Sequence, residues 1–458
     1  MKNAVKKLKD TCEDKLFNFR PVFFAAIFLC LGIVFSYIRI FYGVSPWWSL
    51  LLLPILATPF FFCRTVKRRY TTLLAVILLL GCFTTGKILF DLKISEYPNC
   101  GFYEKEETTV VGRVVEIEKK ETYIKVVLDE LSIGKNKENG KLVAYLSPSF
   151  LKNCQYSDRL LLLGKVETQT DFFDDYGFKA EALRENIRFR AHSVTSCTKV
   201  GHTVDVFAQI RQRMVDCLYA GMDETSASIT VALLLGDTSG IEAGLLENVR
   251  YGGIAHIFAV SGLHVGALYA FLLVLLQKAK LKNLHKGLRF FALAFILFIY
   301  AGICNFSASV VRATVICLIS YAGLLIGAKV DFLQSLSFSA IVILLFSPTS
   351  LFELGFQLSF VACLGLGLLS RPISEWLYKI FRPWIKEIEP DVPLSVSQRF
   401  WRAGISYVSA CLAAQIATAP IQLYAFGYLS VWSLLLNMLF VPMISVSFAF
   451  LLATVVIA

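Results

Sequence analysis

Residues 256–268 read His256-Ile-Phe-Ala-Val-Ser-Gly-Leu-His-Val-Gly-Ala-Leu268, at the head of an apolar run that continues to Leu276. Two imidazoles and a Ser-Gly pair thus sit inside a segment that otherwise has the composition of a membrane span. Such groups are costly in hydrocarbon and face a protein interior or a wet cavity. Glycines at 252, 253, 262 and 266 let a helix bend, break or be approached closely. The stretch predicts a discontinuous span lining a polar path, with His256, Ser261, Gly262, His264 and Gly266 on it.

The rest of the chain supports a membrane setting. Of 458 residues, 56% are hydrophobic and the mean hydropathy is +0.63. Soluble domains are about 45–50% apolar. The expected fold is a polytopic α-helical protein of nine to eleven spans, some broken, with one polar insert. The net charge of +11 reads as basic cytoplasmic loops, not as a nucleic-acid surface. Lysines crowd the N-terminal tail, and Arg64, Lys67, Arg68 and Arg69 follow the second apolar run. Both regions are expected to be cytoplasmic, which puts the insert outside the cell. The first run, from Pro21, is too long for a signal-peptide core and reads as a retained span.

Four regions follow. Residues 1–95 hold the N-terminal spans, 100–200 the insert, 204–252 amphipathic or interfacial helices, and 254–458 a transmembrane core. In the insert, Thr108–Glu118 and Thr122–Leu128 alternate apolar and polar residues. Leu142–Leu146, Leu160–Lys165 and Ile187–Val194 are further strand candidates, and Asn139-Gly140 is a strong turn signal. Short strands with turn punctuation predict a small β-barrel. Residues 101–200 carry sixteen basic and sixteen acidic side chains. Bulk attraction for phosphates is therefore excluded there, leaving a local patch of Arg113, Lys119, Lys120, Tyr123 and Lys125 or a plain solvated face. Within 204–222, Val206, Phe207, Ile210, Met214 and Leu218 form the apolar side, with Arg211, Arg213 and Asp216 expected opposite.

Arg312 is the only charged residue between Arg289 and Lys329. A central arginine costs about 2.5–3.5 kcal/mol on insertion scales, so it must face a polar interior. Its readings are a phosphate contact or a packing anchor, and Ser309 shares its face. Gln357, Pro420 and Asn437 also interrupt apolar runs, as helix-helix hydrogen bonds, as a hinge, or as cavity lining. Ser261 and His264 lack an acidic orienter and make a poor catalytic pair. Two histidines without a third ligand make a poor metal site. No catalytic residue, metal or cofactor is expected. Gly81-Cys-Phe-Thr-Thr-Gly-Lys87 resembles a phosphate-binding loop, but Ile88 stands where Ser or Thr is needed and the context is a span.

The opening stretch, together with Ser307-Ala-Ser-Val-Val-Arg-Ala313, Ser347-Pro348, Gly355-Phe-Gln-Leu-Ser-Phe360, Thr418-Ala-Pro420 and Asn437, resembles the ComEC family of multi-span competence proteins. The resemblance runs from about Pro21 to the end. It implies an OB-type barrel in the insert and a channel passing single-stranded DNA through the bacterial cell membrane. It further implies an extracellular DNA receptor and a cytoplasmic ATP-driven translocase as partners, with membrane lipid around the chain and room for a homo-oligomer. Many such proteins end in a metallo-β-lactamase-like nuclease. The histidines here, at 192, 202, 256, 264 and 285, form no cluster of that kind, so no enzyme activity is expected. Rival readings are a non-transporting or truncated relative whose barrel binds an extracellular partner, and a transporter of small anions. The chain stops inside an apolar run, which suggests a truncated product or a fragment of a longer protein. Of 12 cysteines, Cys100, Cys154 and Cys197 lie in the insert and permit one disulfide, in any of three pairings.

Overall fold

The computed structural model describes residues 20–45, 66–95, 103–119, 123–147, 158–168, 173–174, 177–178, 187–202, 206–258, 260–278, 285–381, 396–430 and 432–457. Two helices come first, α1 (Pro21–Tyr42) and α2 (Val66–Ser95). Eight strands follow: β1 (Glu104–Lys119), β2 (Ile124–Ile133), β3 (Asn136–Lys137), β4 (Lys141–Leu146), β5 (Asp158–Thr168), β6 (Phe173–Asp174), β7 (Gly177–Phe178) and β8 (Ile187–His202). The remainder is helical: α3 (Val206–Gly221), α4 (Glu224–Leu235), α5 (Ala243–Tyr251), a 3₁₀ turn (Ala255–Ile257), α6 (Gly262–Lys278), α7 (Lys286–Ile303) and α8 (Ala308–Ile326). Last come α9 (Phe332–Phe346), α10 (Leu354–Phe381), α11 (Val396–Phe426) and α12 (Ser433–Ile457).

Among the described residues six helices are long and apolar enough to cross a membrane: α1, α2 from Leu73, α7, α8, α10 and α11. Four shorter apolar helices accompany them, Glu224–Leu235, Gly262–Leu276, Phe332–Phe346 and Ser433–Phe448. The other runs counted from sequence are these shorter helices or lie outside the described residues.

The chain divides into two compact units, one of residues 1–95 and 329–351, the other of 96–328 and 352–458. In the first, α1 presents Ala26, Leu29, Gly32, Ile33 and Ser36 as a buried stripe at helical spacing. A side chain on Gly32 would collide with the Phe83 carbonyl, and one on Gly86 with the Leu29 carbonyl. The two backbones therefore touch, as small residues permit in membranes. This is what Gly86 of the loop-like Gly81–Lys87 stretch does: the segment is helix, as its membrane context required. Asp91 of α2 receives hydrogen bonds from the Ser36 hydroxyl and from Arg39 Nη2, the latter at 2.7 Å. α9 closes the unit. Asp331 caps it by accepting from the Gln334 N–H at 3.0 Å, and also accepts from Arg20 Nε and Nη2 at 3.1 and 2.8 Å.

In the second unit, β1, β5, β8, β4 and β2 form a ring that β1–β2 pairing closes. All main pairings are antiparallel except β4–β8, which is parallel. This closed five-stranded barrel is what the alternation in the insert implied. β5 alternates buried and more accessible residues along its length, sending Leu160, Leu162 and Val166 to a core with Val126, Leu128 and Phe189. The Asn139-Gly140 turn leads into β4, with Gly140 at φ +128° and the Arg188 side chain packed against it.

Outside the barrel, α4, α6, α7, α8 and α12 share one apolar core that includes Leu234, Val265, Leu297, Val310 and Phe448. Tyr300 donates to the Leu234 carbonyl at 3.2 Å, satisfying an end group of α4. α10 and α11 cross closely: a side chain on Gly365 would lie 2.6 Å from the Ala413 carbonyl oxygen. In α3 one expectation fails. Arg211 is buried, not opposite the apolar side. It lies one turn after Phe207 and one before Met214, so at 3.6 residues per turn it shares their face. Its guanidinium reaches Asp237 Oδ2 at 3.3 Å and the Ile303 carbonyl at 3.4 Å, which compensate the burial.

Candidate functional site

The opening stretch breaks where its glycines allowed. The 3₁₀ turn carrying His256 ends at Ile257, and α6 starts at Gly262. Gly253 ahead of the turn adopts φ +73°, and a side chain there would meet Ser433 Cβ at 2.6 Å. Ser261 is the residue before the first turn of α6. Its Oγ accepts from the Leu263 N–H at 3.3 Å, while its own N–H donates to His264 Nδ1 at 3.0 Å. This is a variant of the capping box, in which the hydroxyl takes the second N–H of the helix and not the third, and histidine stands in the place usually held by Glu or Gln. It gives the three-residue spacing a local cause.

Accepting at Nδ1 makes the neutral His264 ring a donor at Nε2. That atom is buried and has no hydrogen-bond partner among the described residues. The ring is 1% exposed and lies 4.8 Å from the Phe448 ring, centroid to centroid. Beside it is a cavity of about 180 Å³, lined by His256, Ser261, Leu263 and His264 on one side and by Val441 and Ile444 of α12 on the other. Pockets for small molecules start at about 300 Å³, so in this conformation the space is too narrow for a nucleotide.

Arg312 approaches the same turn from α8. It is 6% exposed. A side chain on Gly262 would lie 2.8 Å from Arg312 Nη2, so the glycine is what lets the guanidinium rest against the start of α6. Phe360 of α10 covers it, with Cζ 5.6 Å from the ring centroid, and the Cys363 thiol is a near neighbour. Nη1 has no hydrogen-bond partner, and Arg312 forms no ion pair with a carboxylate, among the described residues.

The other expected residues are spread around this centre. Ser309 shares a hydrogen bond with Ser359 at 2.8 Å, tying α8 to α10. Gln357 lies one turn before Phe360. Gly266 has open space beside it. Pro420 lies within α11, where Thr418 donates to the Ala414 carbonyl and accepts from Gln422 Nε2. The Asn437 carbonyl accepts from Tyr407, and its side-chain Oδ1 is buried without a partner among the described residues. The structure thus joins His256, Ser261, Gly262, His264 and Arg312, places Asn437 on α12 one turn before the cavity-lining Val441, and leaves Pro420 to α11. Sequence reasoning held Phe360 only as the end of a motif, with no contact to Arg312, and missed Cys363 and Phe448, residues whose proximity no spacing reveals. Among the described residues no group of three His, Cys, Asp or Glu side chains is placed to hold a metal.

In the barrel, Arg113 is bound bidentately by Asp129, at 2.9 and 2.6 Å, and so contributes no free charge to a basic patch. Tyr123 packs edge-on to Tyr145 at 5.4 Å. Lys119 lies at the end of β1, and Lys120 falls outside the described residues. Cys197 lies on β8 and is bonded to no described cysteine. Cys100 and Cys154 lie outside the described residues.

Residues 233–458, which hold every member of this centre, match the family described as Competence protein. The membrane core belongs to the competence protein family. The chain is also 30% identical over 270 residues to ComE operon protein 3 of Bacillus subtilis (strain 168). That match takes in 58% of this chain and 31% of the relative, so the chain spans about a third of the curated protein. No solved structure matches. The competence core is therefore a multi-pass membrane domain preceded by a small closed barrel.

Proposed function

We propose that this protein serves DNA uptake in natural transformation, conducting single-stranded DNA across the bacterial cell membrane. What supports the reading is a pair of donors buried at the centre of a competence-family core: the Arg312 guanidinium and the His264 Nε2 proton. Buried polar groups are ordinarily paired, and these two are donors suited to a polyanion. On this reading the conformation described is shut, and passage needs α12 or α10 to move away from α6. The N-terminus and the basic residues Arg64, Lys67, Arg68 and Arg69, the last three at the start of α2, are cytoplasmic, the barrel faces outward, an external receptor hands over the DNA, and a cytoplasmic ATP-driven translocase supplies the pull. The chain itself performs no catalysis.

The tight packing of His264 and the narrow cavity favour a second reading, a non-conducting relative whose barrel holds an extracellular partner. Transformation frequency decides between them. Deletion of the gene is expected to abolish uptake, and Arg312→Gln at normal protein level to reduce it at least tenfold. Transformation at the parental rate in both strains would leave the second reading.

A further inference from the structure

We infer that Arg312 and the first turn of α6 form a seat for one phosphate-type oxyanion. Three observations meet there. The guanidinium rests against Gly262, the first residue of a 17-residue helix. That end of a helix carries positive potential and free N–H groups, a place where a cation is disfavoured and an anion favoured. The arginine is buried, and its Nη1 is unpartnered among the described residues. Phe360 covers one face of this cation, but no carboxylate among the described residues offsets its place at the positive pole of a helix. The Ser261 oxygens already accept from the Leu263, His264 and Val265 N–H groups, so an oxyanion on the shared side would be held by the Gly262 N–H and the guanidinium, whose planar fork suits a phosphate.

The chemistry fits a phosphodiester of a moving strand, a lipid headgroup or free phosphate. The first source rests on the DNA-uptake reading; the seat itself does not. The test uses the full chain in nanodiscs of neutral phosphatidylcholine, titrated with a fluorescent 12-residue oligodeoxynucleotide, its uncharged methylphosphonate counterpart, and inorganic phosphate as competitor. The charged strand is expected to bind, the uncharged one not, and phosphate to compete. Arg312→Gln and Gly262→Ala each weaken binding about tenfold or more, and Arg312→Lys falls between. Thermal unfolding separates a seat from an anchor. Without ligand, Arg312→Met is as stable as the parent or more so, because removing an uncompensated buried cation relieves the protein. A large loss of stability in Arg312→Met, or equal oligonucleotide affinity in parent and folded Arg312→Gln, overturns the seat. If nanodiscs with anionic lipid abolish strand binding in the parent alone, the seat stands and takes a headgroup. If gene deletion leaves transformation intact while Arg312-dependent phosphate binding persists, the uptake reading falls and the seat remains.

Discussion

Replacing His264 tests whether its imidazole is structural or reactive. In His264→Leu the ring's packing volume against Phe448 is largely kept, but the Ser261 N–H loses its acceptor at 3.0 Å. An orphaned donor costs about 1–3 kcal/mol when buried, and the Ser261 N–H is partly buried. For a core of this size each kcal/mol shifts the midpoint by about 2–4 °C, so the variant should melt about 4–8 °C lower if the loss is near 2 kcal/mol. His264→Gln offers a side-chain carbonyl where Nδ1 stood, the usual partner in a capping box. It should recover at least half of that shift. The assay is thermal unfolding of the detergent-purified chain followed by tryptophan fluorescence, beside transformation frequency of the same alleles. If His264→Gln melts as low as His264→Leu, the capping argument is refuted. If it melts normally but does not transform, the Nε2 proton has a task beyond the cap.

Other perturbations reach other parts of the chain. Asp237→Asn removes the acid beside buried Arg211, and breaking such a pair costs about 3–5 kcal/mol; the double variant with Arg211→Met should regain most of it in the same melting assay. Phe189→Ala empties the middle of the barrel and should cost about 3–5 kcal/mol, read by chemical unfolding. Gly86→Leu should drive α2 off α1, seen as loss of the parental protease-resistant pattern, whereas Gly81→Leu should not, since space is open beside it. Asp223, exposed at the start of α4, is held below the ordinary carboxylate value of 3.8 by the Ser226 N–H it accepts. A lowered folded value means its cap is fully present above 3.8 and is lost as pH falls through the lower folded value. Acid titration followed by circular dichroism should show a low-pH loss of helix that Asp223→Asn lacks.

The barrel was legible because period-two alternation needs no distant partner to be seen, and its strand pairings then follow from turns and closure. The discontinuity after His256 was legible from its glycines. Arg211 was not, although its place in the 207, 211, 214, 218 series was available; treating charge as a sign of exposure overrode the helical period. Ser261 and His264 were weighed as a reactive pair because a histidine does not fit the Ser-x-x-Glu pattern that announces a cap. The meeting of Gly262 with Arg312 had no local signal. Fifty residues part them, and only the packing of α8 on α6 brings the two together.

Arg20 and Asp331 stand 311 positions apart in the chain, yet they close one three-helix unit. Ribosomal synthesis delivers the arginine long before its acid. Until α9 emerges, α1 and α2 wait as an incomplete pair, and everything between residues 95 and 329 must be inserted first. Non-local closure of this kind is slow and leaves surfaces uncovered in the meantime. Defects in the barrel or the competence core should therefore surface as degradation of the amino-terminal helices, far from the altered residue.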